Sequence, residues 1–586
     1  MRMQIGAFLA RRLSEAGVRH LFGVPGDFNL SFLEQIQDAD GIEFVGNCNE
    51  LNAAYAADGY ARILGLAAFI TTFGVGDLAA IGGIAGAYAE NVPVVHITGA
   101  PPLHAMHSGA LVHHTLADGD YDNIGRCMAE FTIAQARITP ANAAFEIDRV
   151  LRMCWLERRP VHLQLPSDVT HILVEVPDTP LALTAPSSDS EQLCVAAQRV
   201  VDALNTAHAP VLVVDADADR FDVTELVQKL SEKCDIPCAS LMPAKGALDE
   251  TSPRYLGIYA GAASAGRVRD AVENADCVIG VGLRFTDSST GLFSHRINPN
   301  TFIDLRRHDL SIGAAQMPGV MMRDLLARIV EDAKPAVRPA VIDSPVLANA
   351  TEPGPSQTDE ALTHTTLWPR VRGFLRPGDV IIGEAGTAHA ALVSMSLPAA
   401  ASYIAAPTWG AVGYALPALF GSLTGAPSRR HLLFIGDGSF QFTVQELSSI
   451  LRRDQKPVIF LLNNGGYTIE RLILGARSAY NDVDDWRYSE LPRVFNRREN
   501  TLSFVVKTLG ELEAALTQAE VADRLIFIEL MLPKMDAPAL LKQFAGRLAE
   551  FDYGERGPRN PSPAVTQVGR SVGSAYERNH VVDESA

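Results

Sequence analysis

The stretch HLLFIGDGSFQFTVQE, residues 431–446, decides the fold because it places a bare carboxylate, Asp437, between two glycines at the end of an apolar strand. The segment FTVQELSSILRR that follows has helical spacing. A second apolar strand, PVIFLL, comes next and ends at Asn463 and Asn464. A strand, a helix and a strand of these lengths predict a right-handed parallel crossover, whose two strand ends lie side by side at one sheet edge. Asp437 and Asn464 are therefore predicted to be neighbours.

The side chains at this edge indicate a bound cation. A carboxylate from Asp437 and an amide oxygen from Asn464 suit a hard ion such as Mg²⁺, which prefers oxygen ligands and completes its shell with phosphate oxygens and water. Gly438 and Ser439 lie at the start of the following helix, whose free N–H groups and dipole favour an anion. Together these positions predict a site for Mg²⁺ and a diphosphate group.

Length and charge exclude several classes of protein. The chain has 586 residues, of which 47% are hydrophobic, and a formal net charge of -18. That length predicts about three to four domains, and the composition is typical of a globular α/β protein. The negative charge disfavours nucleic acid and anionic lipid, because both need clustered Lys and Arg. We therefore expect a small-molecule substrate, with neither nucleic acid nor membrane as a partner.

The cysteines and the first residues favour a cytoplasmic protein. The seven cysteines are scattered, odd in number and absent after Cys277, which is typical of reduced thiols. Residues 1–17 mix apolar and charged residues at helical spacing, so they predict the first helix of the fold rather than a secretory peptide. The most apolar region, 64–99, is interrupted by acids and glycines and predicts buried strand and helix rather than a membrane span.

Apolar runs of strand length alternate with helical patterns along the whole chain, which predicts an α/β protein with doubly wound parallel sheets. Three such domains are predicted at 1–185, 190–335 and 361–552. A linker rich in Pro, Ala and Thr occupies 336–360 and is expected to be extended. A polar tail, 553–586, is expected to be disordered or only loosely held.

The first and third domains share a weak internal similarity. In residues 71–99 and 406–438, a strand end, a glycine turn, a small-residue helix and another strand follow in the same order at nearly the same spacing. Two domains of similar fold in one chain suggest a site between them, although glycine turns recur in unrelated α/β proteins.

The GDG turn followed one helix later by a strand ending in NN resembles the thiamin diphosphate signature. The segment NNGGYTIE, residues 463–470, is similar to the continuation found in 2-keto acid decarboxylases of the pyruvate and indolepyruvate decarboxylase family. The resemblance covers the chain to about Asp552. It implies three domains of the thiamin diphosphate-binding decarboxylase type, in the order pyrimidine-binding, middle and diphosphate-binding. The implied cofactors are thiamin diphosphate and Mg²⁺.

The resemblance also implies catalytic residues. The segment NCNELNAAYAADGYAR offers Glu50 as the glutamate that hydrogen-bonds the aminopyrimidine ring, although an acid near a helix start is often only a capping residue. LVHHTLADGDY contributes His113 and His114, which match the family's tandem histidines; a metal site that includes His107 is the alternative. Asp27 in GVPGDFNL and Glu470 in YTIE complete the set. These two acids and two histidines could move protons to and from a substrate near neutral pH.

Further positions follow from the same resemblance. Val412 in TWGAVGY stands where the family has a bulky aliphatic residue that bends the cofactor, with ordinary core as the alternative, and the carbonyl of Gly410 would accept a bond from the amino group. Apart from Glu50, which is also an implied cofactor contact, the implied cofactor and metal residues lie in the third domain. The cofactor contacts are Thr387, Gly410, Val412, Asp437, Gly438, Ser439, Asn464, Gly466, Tyr467 and Ile469. The metal ligands are Asp437, Asn464 and Gly466.

The size of the substrate is predicted from one segment in which this sequence differs from the pyruvate-specific members of the resembled family. In GEAGTAHAALV, pyruvate-specific members tend to carry larger side chains at the positions of Ala385, His389 and Ala390, so a roomier pocket is expected, with Ile469, Ile473 and Phe544 as its other walls. We therefore expect non-oxidative decarboxylation of longer aliphatic or aryl 2-keto acids, such as phenylpyruvate, indolepyruvate or branched-chain acids, to aldehydes and CO₂. A pyruvate-specific decarboxylase is the nearest alternative.

Other functions remain open on the sequence alone. Carboligating or oxidising thiamin enzymes share the motif of Asp437 and Asn464, but the histidine pair and YTIE argue against them. A Mg-nucleotide binding protein that kept only the phosphate site is the alternative from another class. In the resembled family the pyrimidine domain of one subunit meets the diphosphate domain of another, so the expected assembly is a homodimer or homotetramer with the site at a subunit interface.

Overall fold

The structure is a computed structural model that describes residues 1–336 and 358–560. Most of the predicted linker, 336–360, and the tail beyond residue 560 lie outside the described residues. Three α/β domains follow one another along the chain, and each is built around its own sheet. This confirms the predicted three-domain α/β fold.

The first domain is a parallel sheet with an apolar core on each face. Its strands are β1 (Arg2–Gln4), β2 (His20–Gly23), β3 (Glu43–Gly46), β4 (Ala67–Thr72), β5 (Val94–Ala100), β6 (Gln135–Arg137), β7 (Val161–Pro166) and β8 (Leu173–Glu175). Its helices are α1 (Ile5–Glu15), α2 (Leu30–Asp38), α3 (Glu50–Leu64), α4 (Val75–Ala89), α5 (Leu103–Ser108), α6 (Asn123–Ala129) and α7 (Ala143–Glu157). The sheet order is β3-β2-β4-β5-β7-β6, and β1 pairs with β8 separately.

The middle domain is a seven-stranded mixed sheet. Its strands are β9 (Pro210–Val214), β10 (Cys238–Ser240), β11 (Tyr255–Ile258), β12 (Cys277–Val281), β13 (Phe302–Leu305), β14 (Asp309–Ile312) and β15 (Ala315–Pro318). Its helices are α8 (Ser190–Thr206), α9 (Ala216–Arg220), α10 (Thr224–Cys234), α11 (Gly266–Glu273) and α12 (Met322–Asp332). The order is β11-β10-β9-β12-β13-β14-β15, in which β14 and β15 are antiparallel additions at one edge. The prediction of parallel strands therefore fails at that edge, and it also fails for the antiparallel pair of β1 and β8 in the first domain.

The third domain is again a six-stranded parallel sheet. Its strands are β16 (Val380–Gly383), β17 (Ser402–Ile404), β18 (His431–Gly436), β19 (Val458–Asn463), β20 (Thr501–Val506) and β21 (Leu525–Met531). Its helices are α13 (His364–Phe374), α14 (Thr387–Val393), α15 (Ala415–Gly425), α16 (Asp437–Thr443), α17 (Leu447–Arg452), α18 (Thr468–Ile473), α19 (Leu491–Val494), α20 (Leu509–Val521) and α21 (Ala539–Tyr553). The order is β17-β16-β18-β19-β21-β20.

The two outer sheets have the same topology. Counted from the first strand of each sheet, both have the order 2-1-3-4-6-5. By this correspondence α3 matches α15, and the unit from β4 to β5 matches the unit from β18 to β19. The internal similarity was predicted one unit out of register, because it aligned 71–99 with 406–438. Small-residue helices after glycine turns occur in both units, so composition alone could not distinguish them.

Helices α3 and α15 pack directly against each other and join the outer domains, and we call this contact the seam. Both helices are rich in small residues, and their side chains share one core cluster with both sheets. Glycines set the close approach. A Cβ on Gly421 would collide with the carbonyl oxygen of Ala56, and a Cβ on Gly59 with that of Ala418. The seam therefore depends on bare backbone at these two positions.

Two buried glutamates reinforce the seam from opposite sides. Glu90, at the end of α4, accepts hydrogen bonds from the backbone N–H groups of Thr408 and Trp409 at 2.8 and 3.0 Å. Glu446, between α16 and α17, accepts from the side chains of Asn47 and Asn52, both at 2.9 Å. Each domain thus supplies an acid to the loop that leads into the other domain's seam helix. Buried acids of this kind stabilise only while their donors are in place.

We expect Gly421→Ala to weaken the seam. The added methyl group would push α15 away from α3, and overpacking of this kind costs about 1 to 3 kcal/mol. Gly546→Ala on α21 is the matched control, because a Cβ there meets nothing within 4 Å and the change should be neutral or gain up to about 1 kcal/mol. Urea unfolding of both variants measures the difference. Equal midpoints would contradict the close packing described here.

The chain after α21 packs against the end of α18 in the same domain. The Asn560 side chain donates to the carbonyl oxygens of Arg471 and Leu472 at 2.7 and 3.1 Å and accepts from Ala476 N–H at 3.1 Å. Within the predicted tail, Asn560 is thus held at the end of α18, while residues 561–586 lie outside the described residues. Within the described ranges, no helix is both long and apolar enough to cross a membrane.

Candidate active site

The first group of predicted residues lies at the carboxyl edge of the first sheet. Asp27 follows β2, Glu50 begins α3 after β3, and His113 with His114 lies in the loop region after β5. Ligands of open parallel sheets bind outside this edge, because loops from neighbouring strands converge there. The sheet order thus places on one edge residues that are up to 87 positions apart in the sequence.

Asp27 joins the two histidines. Its Oδ2 accepts a hydrogen bond from His113 Nε2 at 2.6 Å, and its Oδ1 lies 3.6 Å from His114 Nε2. The His113 ring stacks on Phe28 at 4.9 Å, and the His114 ring meets Phe28 edge-on at 6.0 Å. The carboxylate therefore sets which His113 nitrogen carries the proton, and the phenyl ring orients both imidazoles. The three ligand atoms lie within 4.8 Å of one another, so a metal site of these three residues stays compatible with this geometry, but the group does not include His107.

The first turn of α4 lies between the histidines and Glu50. Gly74, with φ at +69°, packs under the backbone of His114, and a Cβ there would collide with the His114 carbonyl oxygen. A Cβ on Gly76 would lie 3.3 Å from Glu50 Oε1. Glu50 is half-buried. These glycines allow Glu50 and the histidine pair to approach one edge of the domain.

The second group lies at the carboxyl edge of the third sheet, around the predicted metal site. β18 and β19 are parallel neighbours, so Asp437 and Asn464 follow adjacent strand ends. Asp437 is 1% exposed and accepts from the N–H groups of Gly438 and Gly466 at 2.8 and 3.0 Å. Burial raises the pKa of Asp437 to about 6. Asn464 is 4% exposed, and its Oδ1 has no hydrogen-bond partner within the described part of the chain.

The donor set at this edge fits Mg²⁺. No ion pair reaches Asp437 within 1–336 and 358–560, and a buried carboxylate beside an unpartnered amide oxygen is costly without a cation. The neighbouring Asn463 is used differently, because its amide donates to Glu529 at 2.8 Å. Of the two asparagines in the motif, Asn464 is the one whose side-chain oxygen is buried without a partner among the described residues.

Arg471 fixes the loop that carries these groups, a role that was not predicted from the sequence. Its side chain is buried and donates to the carbonyl oxygens of Asn464, Gly465 and Asn481 and to Asp482. Gly466 itself has φ at +126°, a conformation that only glycine adopts readily. An arginine on a short helix is usually a surface residue, so only the three-dimensional structure shows that it holds the loop.

The predicted cofactor loop after β17 is held by Glu384. This buried carboxyl accepts from the N–H groups of Gly413 and Ala415 at 3.2 and 2.9 Å, and burial raises its pKa to about 8. Gly410 has φ at +65° and is exposed. Val412 is 38% exposed, so the alternative of ordinary core is wrong for the single chain. Of the other predicted contacts, Thr387 is buried, Ser439 and Ile469 are half-buried, and the half-buried Tyr467 ring packs against Gly438.

The predicted substrate pocket is assembled by α14, α18 and α21. Ala390 packs with Ile469 and Leu541, and Ile473 packs with Ala545 in an adjoining cluster that shares Ile469. Phe544 on α21 and Ala385 before α14 are half-buried, and Glu470 on α18 is exposed. The last described helix, α21, therefore packs beside the residues that were predicted from the sequence to line the pocket.

His389 differs from the other predicted pocket residues. Its Nδ1 is hydrogen-bonded to the Tyr403 hydroxyl at 2.8 Å, and the two rings stack at 5.9 Å. Burial lowers the pKa of His389 to about 4, so the ring is neutral. Its ring contacts Tyr403 in β17, and its Nε2 has no partner among the described residues. The neighbouring Ala390 packs against α18 and α21.

The two groups remain apart within one chain. No hydrogen bond or ion pair in the described residues joins Glu50 or the Asp27 group to the loop of Asp437 and Gly466. Each group is bordered by large exposed apolar side chains. On the first domain these are Val75, Leu78, Leu111 and Leu116, and on the third domain they are Trp409, Val412 and Phe442. Apolar surface of this kind is typical of protein interfaces.

Three family models match the chain in order. Residues 3–123 match the model described as "Thiamine pyrophosphate enzyme, N-terminal TPP binding domain". Residues 197–333 match the central domain of the same enzymes, and residues 382–530 match their C-terminal TPP binding domain. The matches define a thiamin diphosphate enzyme and agree with the three domains of the structure.

Proteins that are similar to this chain over almost its whole length narrow the class of thiamin diphosphate enzyme. The chain is 42% identical over 545 residues to a protein named "Alpha-keto-acid decarboxylase" from Mycobacterium leprae, with 92% of this chain and 94% of the relative covered. It is 40% identical over 555 residues to a protein of the same name from Mycobacterium ulcerans, with 94% and 97% covered. The chain belongs to the family of thiamin diphosphate-dependent 2-keto acid decarboxylases. The resemblance seen in the sequence and the predicted enzyme class are confirmed.

Proposed function

We propose that the chain converts 2-keto acids to aldehydes and CO₂ without oxidation, using thiamin diphosphate and Mg²⁺, and that it does so in the cytoplasm. The observation that carries the proposal is the buried Asp437 carboxylate next to the unpartnered Asn464 Oδ1, at the edge of a parallel sheet. These oxygens, with the backbone of Gly466, would hold Mg²⁺ and the diphosphate. When bound, thiamin diphosphate supplies the electron sink that decarboxylation needs.

The chain's own residues would bind the cofactor and move protons. Glu50 would exchange a proton with the aminopyrimidine ring through its carboxyl oxygens, while the Gly410 carbonyl and the Val412 side chain would fix that ring. His113, held by Asp27 through a 2.6 Å hydrogen bond, has a defined proton at Nε2 and suits proton transfer at the substrate. Glu470, exposed at the metal loop's edge, would complete the set.

A second copy of the chain would complete the site. Glu50 with the Asp27 group and the Asp437 loop lie on different domains, and no hydrogen bond or ion pair among the described residues joins them within one chain. The exposed apolar side chains around both groups need a cover. We propose that the first domain of one copy meets the third domain of another, so that the working enzyme is a homodimer or a homotetramer with its site at the subunit interface.

The small residues of the pocket support longer substrates. Ala385 and Ala390 have small side chains, and Ala390 packs with Ile469 and with Leu541 of α21 in one apolar cluster. An apolar pocket gains about 0.8 kcal/mol for each CH₂ group that it buries. We therefore propose aryl, branched and longer aliphatic 2-keto acids as preferred substrates. A pyruvate-specific decarboxylase and, less favoured, a carboligating thiamin enzyme are the competing functions.

A substrate panel tests the proposal. Aldehyde formation from pyruvate, 2-ketoisovalerate, phenylpyruvate and indolepyruvate would be followed by coupled aldehyde reduction. We expect higher kcat/KM for the bulky acids, and we expect Ala390→Phe to reduce that preference. A wild-type preference for pyruvate would overturn the substrate assignment alone. Formation of a hydroxyketone in place of the free aldehyde would overturn the decarboxylase assignment.

We expect Arg471→Met to weaken cofactor binding indirectly, because Arg471 holds the loop and would not itself touch the cofactor. The variant frees the backbone of Asn464 and Gly465, so the Kd for thiamin diphosphate with Mg²⁺ should rise by about tenfold or more, in line with the cost of losing charge-assisted bonds. Arg471→Lys should be intermediate. Isothermal titration calorimetry measures the Kd, with Arg477→Met, an exposed position on the same segment, as the control. An unchanged Kd in both Arg471 variants would show that the loop holds itself.

A further inference from the structure

A large cavity lies between the middle domain and the third domain. Its volume is about 970 Å³, near the upper end for sites of small organic molecules. The middle domain lines it with the segment after β11 and the first turn of α11, and the third domain lines it with α13 and the approach to α21. Asp27, Glu50, Asp437, Asn464 and Ala390 do not line it, although Ala537, which packs with Ala390 in the predicted substrate pocket, does.

The middle-domain wall contains an arginine, Arg267, that has no carboxylate partner among the described residues. Arg267 lines the cavity, and its Nη2 donates to the carbonyl oxygen of Leu256 at 3.3 Å. Its Nη1 is buried and has no hydrogen-bond partner among the described residues. Burial lowers the pKa of Arg267, and no carboxylate acts against that effect. A guanidinium in this setting has hydrogen-bonding capacity left for an anion.

The start of α11 adds backbone donors to the same wall. Ala265 precedes this eight-residue helix and has no side chain that could cap it. Gly266 follows at the first helical position, with open space where a Cβ would stand. The free N–H groups and the dipole at a helix start favour an anion. Arg267, in the same turn, strengthens that preference.

The opposite wall supplies one more donor and apolar surface. His364 is 3% exposed, and its Nδ1 accepts from Trp368 Nε1 at 2.9 Å. Burial lowers the pKa of His364 to about 4, so the ring is neutral and its proton lies on Nε2. That Nε2 has no partner in the part of the chain that the structure describes. Trp368 and Leu540 contribute apolar surface nearby.

The acidic residue in the lining, Glu250, already has hydrogen-bond and ion-pair partners. Glu250 pairs with Lys245 at 2.6 Å and accepts from the backbone N–H of Leu397 at 2.9 Å. Unused donors therefore remain on both walls, at Arg267 Nη1 and His364 Nε2, and the unpartnered Tyr255 hydroxyl, which can donate or accept, lines the same cavity. We propose that the cavity binds a small organic anion, with its carboxylate or phosphate head against Arg267 and the start of α11 and its apolar body against α13 and α21. This site is independent of the proposed decarboxylation.

Binding to the cofactor-loaded enzyme tests this inference by isothermal titration calorimetry. The probes are adenosine monophosphate for a phosphate head and 4-phenylbutyrate for a carboxylate head, with adenosine and 4-phenylbutanol as their uncharged counterparts. Arg267→Gln removes the unpaired cation. Gly266→Asp puts a carboxylate at the helix start, where there is room for it and where an acid favours the helix. Arg269→Gln, on the same helix but outside this cavity, is the control.

We expect at least one anionic probe to bind, and to bind about tenfold or more weakly in both Arg267→Gln and Gly266→Asp but normally in Arg269→Gln. Which probe binds tells a phosphate ligand from a carboxylate ligand. No heat from either anion at about 10 mM, or equal binding by the uncharged counterparts or by the Arg267 and Gly266 variants, would overturn the site. Decarboxylation measured on the same samples separates this outcome from failure of the proposed function.

Discussion

Glu50→Gln is expected to lower kcat by about 100- to 10,000-fold, the range that proton-transfer groups contribute. Glutamine keeps the size of the side chain and one hydrogen-bond acceptor, but it cannot give or take a proton. Binding of the cofactor should change much less, because the proposed ligands of the diphosphate and the metal lie in the third domain. Coupled aldehyde reduction measures kcat, and tryptophan fluorescence titration measures the affinity for thiamin diphosphate.

The control separates proton transfer from helix capping. Glu191 stands in the first turn of α8 and is exposed, so Glu191→Gln removes a helix-start acid without touching the site. If Glu50 serves only its helix, both variants should lose a small amount of stability and no activity. Full activity in Glu50→Gln would remove the proposed role of this residue.

Asp437→Asn is expected to raise the Kd for thiamin diphosphate with Mg²⁺ by about 100-fold or more, and to abolish activity at ordinary cofactor concentrations. An amide oxygen is a weaker ligand for a hard cation than a carboxylate. The amide N–H₂ group would also face the two N–H donors, of Gly438 and Gly466, that now point at the carboxylate. Calorimetry with Mg²⁺ and thiamin diphosphate measures the loss, and activity should return partly at high cofactor concentration.

A neighbouring acid gives the matched comparison. Asp484 is exposed in a loop close to α16, where its backbone carbonyl accepts from Gln441. Asp484→Asn changes the charge near the site by the same amount and should leave the Kd within about twofold, since exposed charges are well screened. A similar loss in both variants would mean that the general field matters and that Asp437 does not bind the metal.

The sequence was sufficient for the domain order and for one edge of the site. The strand lengths on either side of Asp437 fixed a parallel crossover, which is a local property of the chain. Val412 shows the limit: its sequence context favours burial equally in a core, against a cofactor or under a partner, and in the single chain it is exposed. Apolar side chains at an interface and in a core look alike in a sequence.

Other features depend on contacts that no local pattern records. Arg471 is held by carbonyl groups around the metal loop, and Glu90 and Glu446 each reach a loop more than 300 positions away. Lone charged residues are usually solvated, so none of the three stands out in the sequence. The internal similarity was placed one unit out of register for the related reason that both units have glycine turns and small residues.

The seam affects how the chain can fold while it is being synthesised. Gly59 and Ala418 meet at the seam but are 359 positions apart in the chain. At a synthesis rate of about 5 to 20 residues per second, the face of α3 must wait on the order of 20 to 70 s for its partner helix. During that interval the nascent N-terminal portion cannot bury its alanine-rich surface, and the intervening middle domain can fold first. Cells that make this enzyme therefore need to shield one newly made helix from aggregation.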